Sequence, residues 1–133
     1  MKDAAGEARR WLAQAEEDLE VVRVLLDAGK HAAACFHAHQ AAEKAAKALL
    51  YARGDRFVAG HGVLTLLGQA GLADPALLDA ARVLDQFYIP TRYPNGLPGG
   101  TPAEHYTAEQ AGRAREDAAA IVGAARARLG GGA

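Results

Sequence analysis

Arginine and tyrosine side chains cluster around one proline-rich segment, a combination that could bind a phosphate group beside a nucleobase. The segment covers residues 89–102 and holds four of the five prolines. Tyr88, Arg92 and Tyr93 lie at its start, and His105 and Tyr106 follow it. Arginine donates several hydrogen bonds to phosphate, and tyrosine rings stack on bases. The alternative is that the tyrosines pack this loop onto the domain while Arg92 pairs with an acidic residue.

A second set of polar side chains lies along a predicted helix over residues 30–52. Gln40, Lys44 and Lys47 recur at steps of four and three residues, which places them on one helical face. Glu43 and Lys47 have the spacing of an i,i+4 ion pair. Such a ridge is usually a solvated surface, and the alternative is a cationic ridge near Arg92 that holds phosphate.

Cys35, His37 and His39 are close enough in sequence to suggest a metal site. Residues two apart on an α-helix lie about 200° apart around its axis, so the two histidines face opposite sides. Metal sites need three or four converging ligands, and nothing in this spacing supplies them. We therefore predict no metal, and no motif for another cofactor is evident.

The amino-acid composition indicates that these residues lie in a helical domain. Half of the 133 residues are hydrophobic, and 33 are alanine. Valine, isoleucine and threonine together number only 13, too few for a sheet of ordinary size. An alanine-rich core requires closely packed backbones, which helices provide. We predict one all-α domain over residues 1–129 and a disordered glycine-rich tail over 130–133.

Net charge, cysteine count and the lack of targeting signals limit the kind of protein this chain can be. The formal net charge is −1, which does not indicate a strongly basic nucleic-acid binder. Cys35 is the single cysteine, so no intramolecular disulfide can form. No apolar run approaches the ~20 residues that span a bilayer, and the first residues lack the apolar stretch of a signal peptide. These features predict a cytoplasmic protein without a membrane partner.

Apolar periodicity predicts four main helices and an additional short helix, and the connection of one or two residues between the first two makes them an antiparallel hairpin. The main helices are expected at about 3–28, 30–52, 75–88 and from 107 onward, and the short one at 61–70. Gly29 and Gly54 are expected to end the first two helices, and Thr107 with Gln110 forms a capping-box pattern. Proline and glycine are so dense over 89–102 that we expect no helix there.

Several segments of the chain match a known pattern in their order and spacing. They are Arg10-Trp11-Leu12 with Ala15, Asp18 and Leu19; Phe36, Gln40, Glu43-Lys44 and Lys47-Ala48-Leu49 within residues 34–50; His61 with Leu64 and Leu67; and Leu84-Asp85-Gln86-Phe87-Tyr88-Ile89-Pro90-Thr91-Arg92-Tyr93-Pro94. Together they resemble the HEPN domain family over about residues 8–129. The resemblance implies an up-and-down antiparallel four-helix bundle, with the additional short helix, that usually dimerises and is linked to nucleotides or RNA. It also implies, in many members, a separately encoded nucleotidyltransferase partner, often within a toxin–antitoxin module.

The resemblance also implies an enzymatic alternative. One branch of the family consists of metal-independent ribonucleases with an Arg-x(4–6)-His motif near the start of the last helix. Here twelve residues separate Arg92 from His105, which is too long. Arg56 and His61 do have the required spacing, but they lie on a different connection, so they are weak catalytic candidates.

The leading prediction is therefore a non-catalytic, nucleotide- or RNA-linked partner of a separately encoded nucleotidyltransferase. The alternatives are a metal-independent ribonuclease toxin and a purely structural dimerisation module. Val21, Val24 and Leu25 lie beside the main apolar stripe of the first helix, and this excess favours a homodimer. The ligand-binding candidates are Gln40, Lys44, Lys47, Tyr88, Arg92, Tyr93 and His105.

Overall fold

The computed structural model describes residues 3–130 and confirms an all-α bundle, with no strand in that range. The α-helices are Ala4–Asp27 (α1), His31–Ala52 (α2), Val63–Gln69 (α3), Pro75–Asp85 (α4), Pro102–His105 (α5) and Ala108–Arg128 (α6). The four long helices α1, α2, α4 and α6 form the bundle, and α3 is the predicted short helix. The proposed tail lies outside the described residues except for Gly130, which forms a turn after α6.

Helix ends follow the predicted signals where those signals are local. Gly29 and Gly54, which come directly after the C-caps of α1 and α2, adopt φ values of +74° and +106° that favour glycine. At the start of α6, the Thr107 hydroxyl accepts a hydrogen bond from the backbone N–H of Gln110, and the Gln110 side chain accepts one from the Thr107 N–H. The short connection after Gly29 makes α1 and α2 an antiparallel hairpin.

Helix α2 lies at the centre of the bundle and contacts every other α-helix. The alanines on its predicted stripe (Ala38, Ala42 and Ala45) are completely buried. On α6 the buried residues are the six of the predicted stripe, namely Ala111, Ala114, Ala118, Ile121, Val122 and Ala125. Small side chains allow the backbones of α2 and α6 to approach closely, so the alanine excess is located where these two helices pack.

Helix α4 ends three residues earlier than the predicted Tyr88. The backbone N–H groups of Gln86 and Phe87 bond to carbonyls three residues back, which tightens the last turn. Pro90 has no N–H to continue the helical ladder. The hydroxyl of Thr91 instead donates to the Phe87 carbonyl, and Arg92 Nε donates to the Tyr88 carbonyl at 2.8 Å. The chain after α4 is therefore a series of turns stabilised by its own side chains.

The prediction that residues 89–102 contain no helix is wrong in two places. A 3₁₀ turn covers Pro94–Gly96, and α5 begins at Pro102. Proline is tolerated at the first position of a helix because the N–H that it lacks has no intrahelical partner there. Thr101 and Glu104 also form a capping box on α5. Across residues 3–130, no helix is both long and apolar enough to cross a membrane.

Candidate functional site

Arg92 is held against three aromatic rings on the surface of the bundle. Its guanidinium carbon lies 4.4 Å from the ring centre of Phe36, 4.7 Å from that of Tyr88 and 4.9 Å from that of Tyr93. Contacts of a cation with aromatic faces are favourable by about 0.5–1 kcal/mol each at exposed sites. Together with the bond from Arg92 Nε to the Tyr88 carbonyl, these rings fix the guanidinium in one orientation.

The two Nη groups of Arg92 donate no hydrogen bond to any protein atom within residues 3–130, and no carboxylate of that range forms an ion pair with Arg92. The alternative in which Arg92 pairs with an acidic residue is therefore wrong. Seven of the eleven arginines do pair with a carboxylate: Arg9, Arg10, Arg23, Arg53, Arg82, Arg113 and Arg126. Among the described arginines without such a partner, Arg92 alone contacts aromatic rings. It is thus an ordered cation with free donors.

His61 packs on the same tyrosine. Its ring is stacked on Tyr88, with centroids 4.9 Å apart and an interplanar angle of 20°. Its Nδ1 lies 3.3 Å from both carboxylate oxygens of Glu43. A carboxylate can only accept, so Nδ1 carries the hydrogen and Nε2 is the free nitrogen of the ring. The His61 side chain is 56% exposed, so Nε2 is available to a ligand.

Glu43 is buried and neutralised by Lys47. The two charged groups lie 3.0 Å apart one helical turn from each other, and their side chains are 7% and 8% exposed. Lys47 Nζ also lies 5.7 Å from the ring centre of Trp11. The interpretation of the α2 ridge as a solvated surface is therefore wrong for Lys47. Lys44 points toward α1 and donates to Asp18 at 2.6 Å.

His39 supports Tyr88 from inside the bundle. It is 1% exposed, and its ring centre lies 5.2 Å from that of Tyr88. Its Nε2 lies 3.2 Å from Asp85 Oδ1, and its Nδ1 lies 3.4 Å from the side-chain oxygen of Gln40. We call Phe36, His39, His61, Tyr88 and Arg92 the Tyr88 cluster.

The remaining candidates lie elsewhere or make local contacts. Arg56 is exposed and, within the described part of the chain, has no partner, so the structure does not pair it with His61. His105 Nδ1 bonds to the Thr101 carbonyl within α5. Tyr106 packs edge-on against Phe87 instead of joining the Tyr88 cluster. The arginine that contacts the same tyrosine ring as His61 is Arg92, not Arg56.

Cys35 and His37 do not join in a ligand set. Cys35 is fully buried, and burial raises the pKa of its thiol to about 11, so the thiol is protonated at neutral pH. Burial also lowers the pKa of His37, with the nearby Lys44 acting in the same direction and Asp18 opposing it. No group of three or more His, Cys, Asp or Glu residues within 3–130 converges as metal ligands would.

Four residues of the site were not among the sequence candidates for ligand binding: Phe36, His39, Glu43 and Asp85. Each belongs to a segment that carried the family resemblance, but their roles come from contacts between distant positions. Asp85 and His39 are 46 residues apart, and Glu43 and His61 are 18 apart. The one local signal for Asp85 was its spacing, because an acidic residue three positions before Tyr88 lies close to that tyrosine along the chain.

The fold and the cluster define an all-α bundle with a cation–aromatic site where α4 leads into the proline-rich connection. The HEPN domain model matches residues 8–128, and the chain belongs to this family. Among curated proteins it is 29% identical over 126 residues to "Putative toxin MJ1304" of Methanocaldococcus jannaschii, covering 86% of this chain and 83% of that protein.

Three solved structures are similar to this chain in both sequence and fold. TT1696 from Thermus thermophilus is 42% identical with a TM-score of 0.87, covering 92% of this chain and 98% of that one. ST0689, an archaeal HEPN homologue, is 34% identical with a TM-score of 0.81, covering 97% and 99%. A HEPN domain protein from Thermotoga maritima is 30% identical with a TM-score of 0.73, covering 90% and 97%.

Proposed function

We propose that this chain is a cytoplasmic, toxin-type HEPN protein that binds a nucleotide or an RNA phosphate at the Tyr88 cluster. The observation that carries this proposal is Arg92, whose faces contact three rings while its Nη groups have no partner among residues 3–130. In this arrangement the free N–H groups can donate to phosphate oxygens in a bidentate manner. The exposed rings of Tyr93 and His61 can stack on a base.

Membership of the HEPN family and the likeness to a toxin-named relative support the toxin part of the proposal. The partner that we propose is a separately encoded nucleotidyltransferase, as the family resemblance implies. Co-expression with the product of a neighbouring nucleotidyltransferase gene tests this part. A stable complex at micromolar concentration is expected, and two separate species in size-exclusion chromatography would contradict it.

We also propose a homodimer through the outer face of α1. Val24 is 55% exposed and, together with Val21, Leu25, Glu17 and Glu20, lines a shallow hollow on this helix. Burying this apolar strip against its copy would remove it from water. Light scattering should give the mass of two chains for the natural protein and of one chain for Val24→Asp. A natural protein with the mass of one chain would refute the dimer.

Thermal unfolding tests the binding proposal. A ligand that binds only the folded state stabilises it by RT ln(1 + [L]/Kd), about 2.7 kcal/mol at a hundredfold excess over Kd. We therefore expect adenosine 5′-monophosphate or a short single-stranded RNA to raise the melting temperature by several degrees. Inorganic phosphate should raise it less, because it lacks a base. No shift with any of the three up to millimolar concentration would contradict nucleotide binding.

Ribonuclease activity is a second candidate, favoured by the orientation of His61 through Glu43. The free Nε2 of His61 could take the proton of a ribose 2′-hydroxyl while Arg92 stabilises the charge that develops on the phosphate. The 2′-oxygen would attack phosphorus, and the 5′-oxygen would leave with a proton from water. Purified protein should then degrade RNA in EDTA, and His61→Ala should abolish the activity. RNA left intact by the natural protein would exclude this candidate.

A further inference from the structure

Asp85, the last residue of α4, forms hydrogen bonds with two other parts of the bundle, the start of α3 and His39 on α2. Its Oδ1 accepts a hydrogen bond from the backbone N–H of Val63 at 2.7 Å, and its Oδ2 accepts one from that of Leu64 at 3.1 Å. These groups are the first two N–H groups of α3, which have no intrahelical acceptor. The N-cap residue of α3, Gly62, has no side chain to fill this role. Asp85 therefore caps α3 from another helix.

The same carboxylate holds a buried imidazole. His39 Nε2 lies 3.2 Å from Asp85 Oδ1, and His39 is 1% exposed. Burial alone would raise the pKa of Asp85, but the hydrogen bonds from His39, Val63 and Leu64 outweigh it and lower the pKa. Asp85 is thus charged at neutral pH and accepts from three donors at once.

Each of these three donors either contacts the ring of Tyr88 or belongs to a segment next to a residue that does. His39 packs directly on that ring, with centroids 5.2 Å apart. Val63 and Leu64 follow His61 by two and three residues, so their bonds to Asp85 fix the segment that places the His61 ring on Tyr88. Tyr88 itself follows Asp85 by three residues. One side chain therefore contacts both the imidazole of His39 and the segment that follows His61.

We infer that Asp85 is the positioning residue of the Tyr88 cluster, acting through His39 and through the start of α3 to fix His61 and Tyr88 beside Arg92. Its role in ligand binding rests on the proposed function, whereas its role in placing the two histidines does not. An asparagine at this position has a single oxygen and would turn an N–H₂ group toward at least one of the three donors. The cluster should then lose its fixed geometry.

The chain offers a matched control for Asp85→Asn. Asp74 is also an aspartate that caps a helix, since its Oδ1 accepts from the backbone N–H of Ala76 at 2.9 Å at the start of α4. It makes no contact with the Tyr88 cluster. Asp74→Asn therefore reproduces the loss of a carboxylate charge at the start of a helix, with one capping oxygen kept, without disturbing the cluster.

Two measurements on the full chain decide the inference. In isothermal titration with adenosine 5′-monophosphate, we expect Asp85→Asn to raise Kd roughly tenfold and Asp74→Asn to leave it within about twofold. In ¹H–¹³C NMR spectra, the ring signals of His39 and His61 should move in Asp85→Asn and stay in place in Asp74→Asn. If the two variants behave alike in both measurements, Asp85 is only a helix cap and the inference is wrong.

These outcomes are separable from the proposed function. If the natural protein does not bind the nucleotide, the proposed function fails, and the histidine signals alone decide the role of Asp85. If Asp85→Asn does not fold, His39→Phe removes one donor but keeps a ring beside Tyr88 and leaves the cap on α3 intact. We then expect the Tyr88 ring signals to move, and an unchanged Tyr88 spectrum would overturn the inference.

Discussion

Replacing Arg92 with glutamine is expected to weaken the binding of adenosine 5′-monophosphate by roughly ten- to a hundredfold. This factor corresponds to the ~1.5–3 kcal/mol that a hydrogen bond to a charged group contributes. The physical reason is that Arg92 supplies the free donors of the Tyr88 cluster and that its orientation is fixed by three rings. Isothermal titration of the natural and variant proteins measures the ratio of their dissociation constants.

Two further variants separate charge from geometry. Arg92→Lys keeps the charge but loses the planar fork and the stacking, so its affinity should fall between those of the natural protein and Arg92→Gln. Arg115→Gln is the control, because Arg115 is an exposed arginine on α6 that has no ion pair or ring contact within the described residues. It should bind as the natural protein does. Equal weakening by Arg115→Gln would show that only net charge matters.

Replacing Glu43 with alanine is expected to reduce the free energy of unfolding by about 3–5 kcal/mol. The change leaves the Lys47 ammonium, whose side chain is 8% exposed, without its carboxylate. It also removes the acceptor for His61 Nδ1. For a chain of this length the loss corresponds to a fall in melting temperature of roughly 10–20 °C. Denaturant titration followed by circular dichroism measures both the midpoint and the slope.

The paired variants show whether the loss comes from the unpaired charge. Glu116→Ala removes an exposed glutamate of α6 with no ion pair in the described range, and its effect should stay within about 0.5 kcal/mol. Glu43→Leu combined with Lys47→Met replaces the buried pair with apolar side chains of similar volume, which should restore most of the stability. A loss below about 1 kcal/mol for Glu43→Ala would mean that water reaches Lys47.

Helix positions and buried faces are predictable here because they depend on neighbours a few residues away. The buried residues of α6 repeat at helical spacing, and the Thr107–Gln110 box marks its start within four residues. The end of α4 is less predictable, since its stop depends on Pro90 and on side chains of Thr91 and Arg92 that bond back to earlier carbonyls. Periodicity carries no information about those bonds.

The site could be predicted only in part. Arg92, Tyr88 and Tyr93 lie within six residues of one another, so their association could be predicted from the sequence. The contacts that orient them do not, because they join α2, the start of α3 and the end of α4 across the bundle. Lys47 illustrates the difficulty: its spacing on α2 is typical of a solvated face, yet packing against Trp11 and Glu43 buries it.

The central claim is that the Tyr88 cluster is the ligand site, and an NMR titration of the labelled natural protein with adenosine 5′-monophosphate tests it most directly. The account predicts saturable shifts that are largest at the Arg92 Nε–H and at the ring signals of Tyr88 and His61. These shifts should fit one dissociation constant and should be lost in Arg92→Gln. Shifts centred elsewhere, for example on Trp11 and Lys44 in the hollow between α1 and α2, or no shifts at millimolar nucleotide, would contradict it.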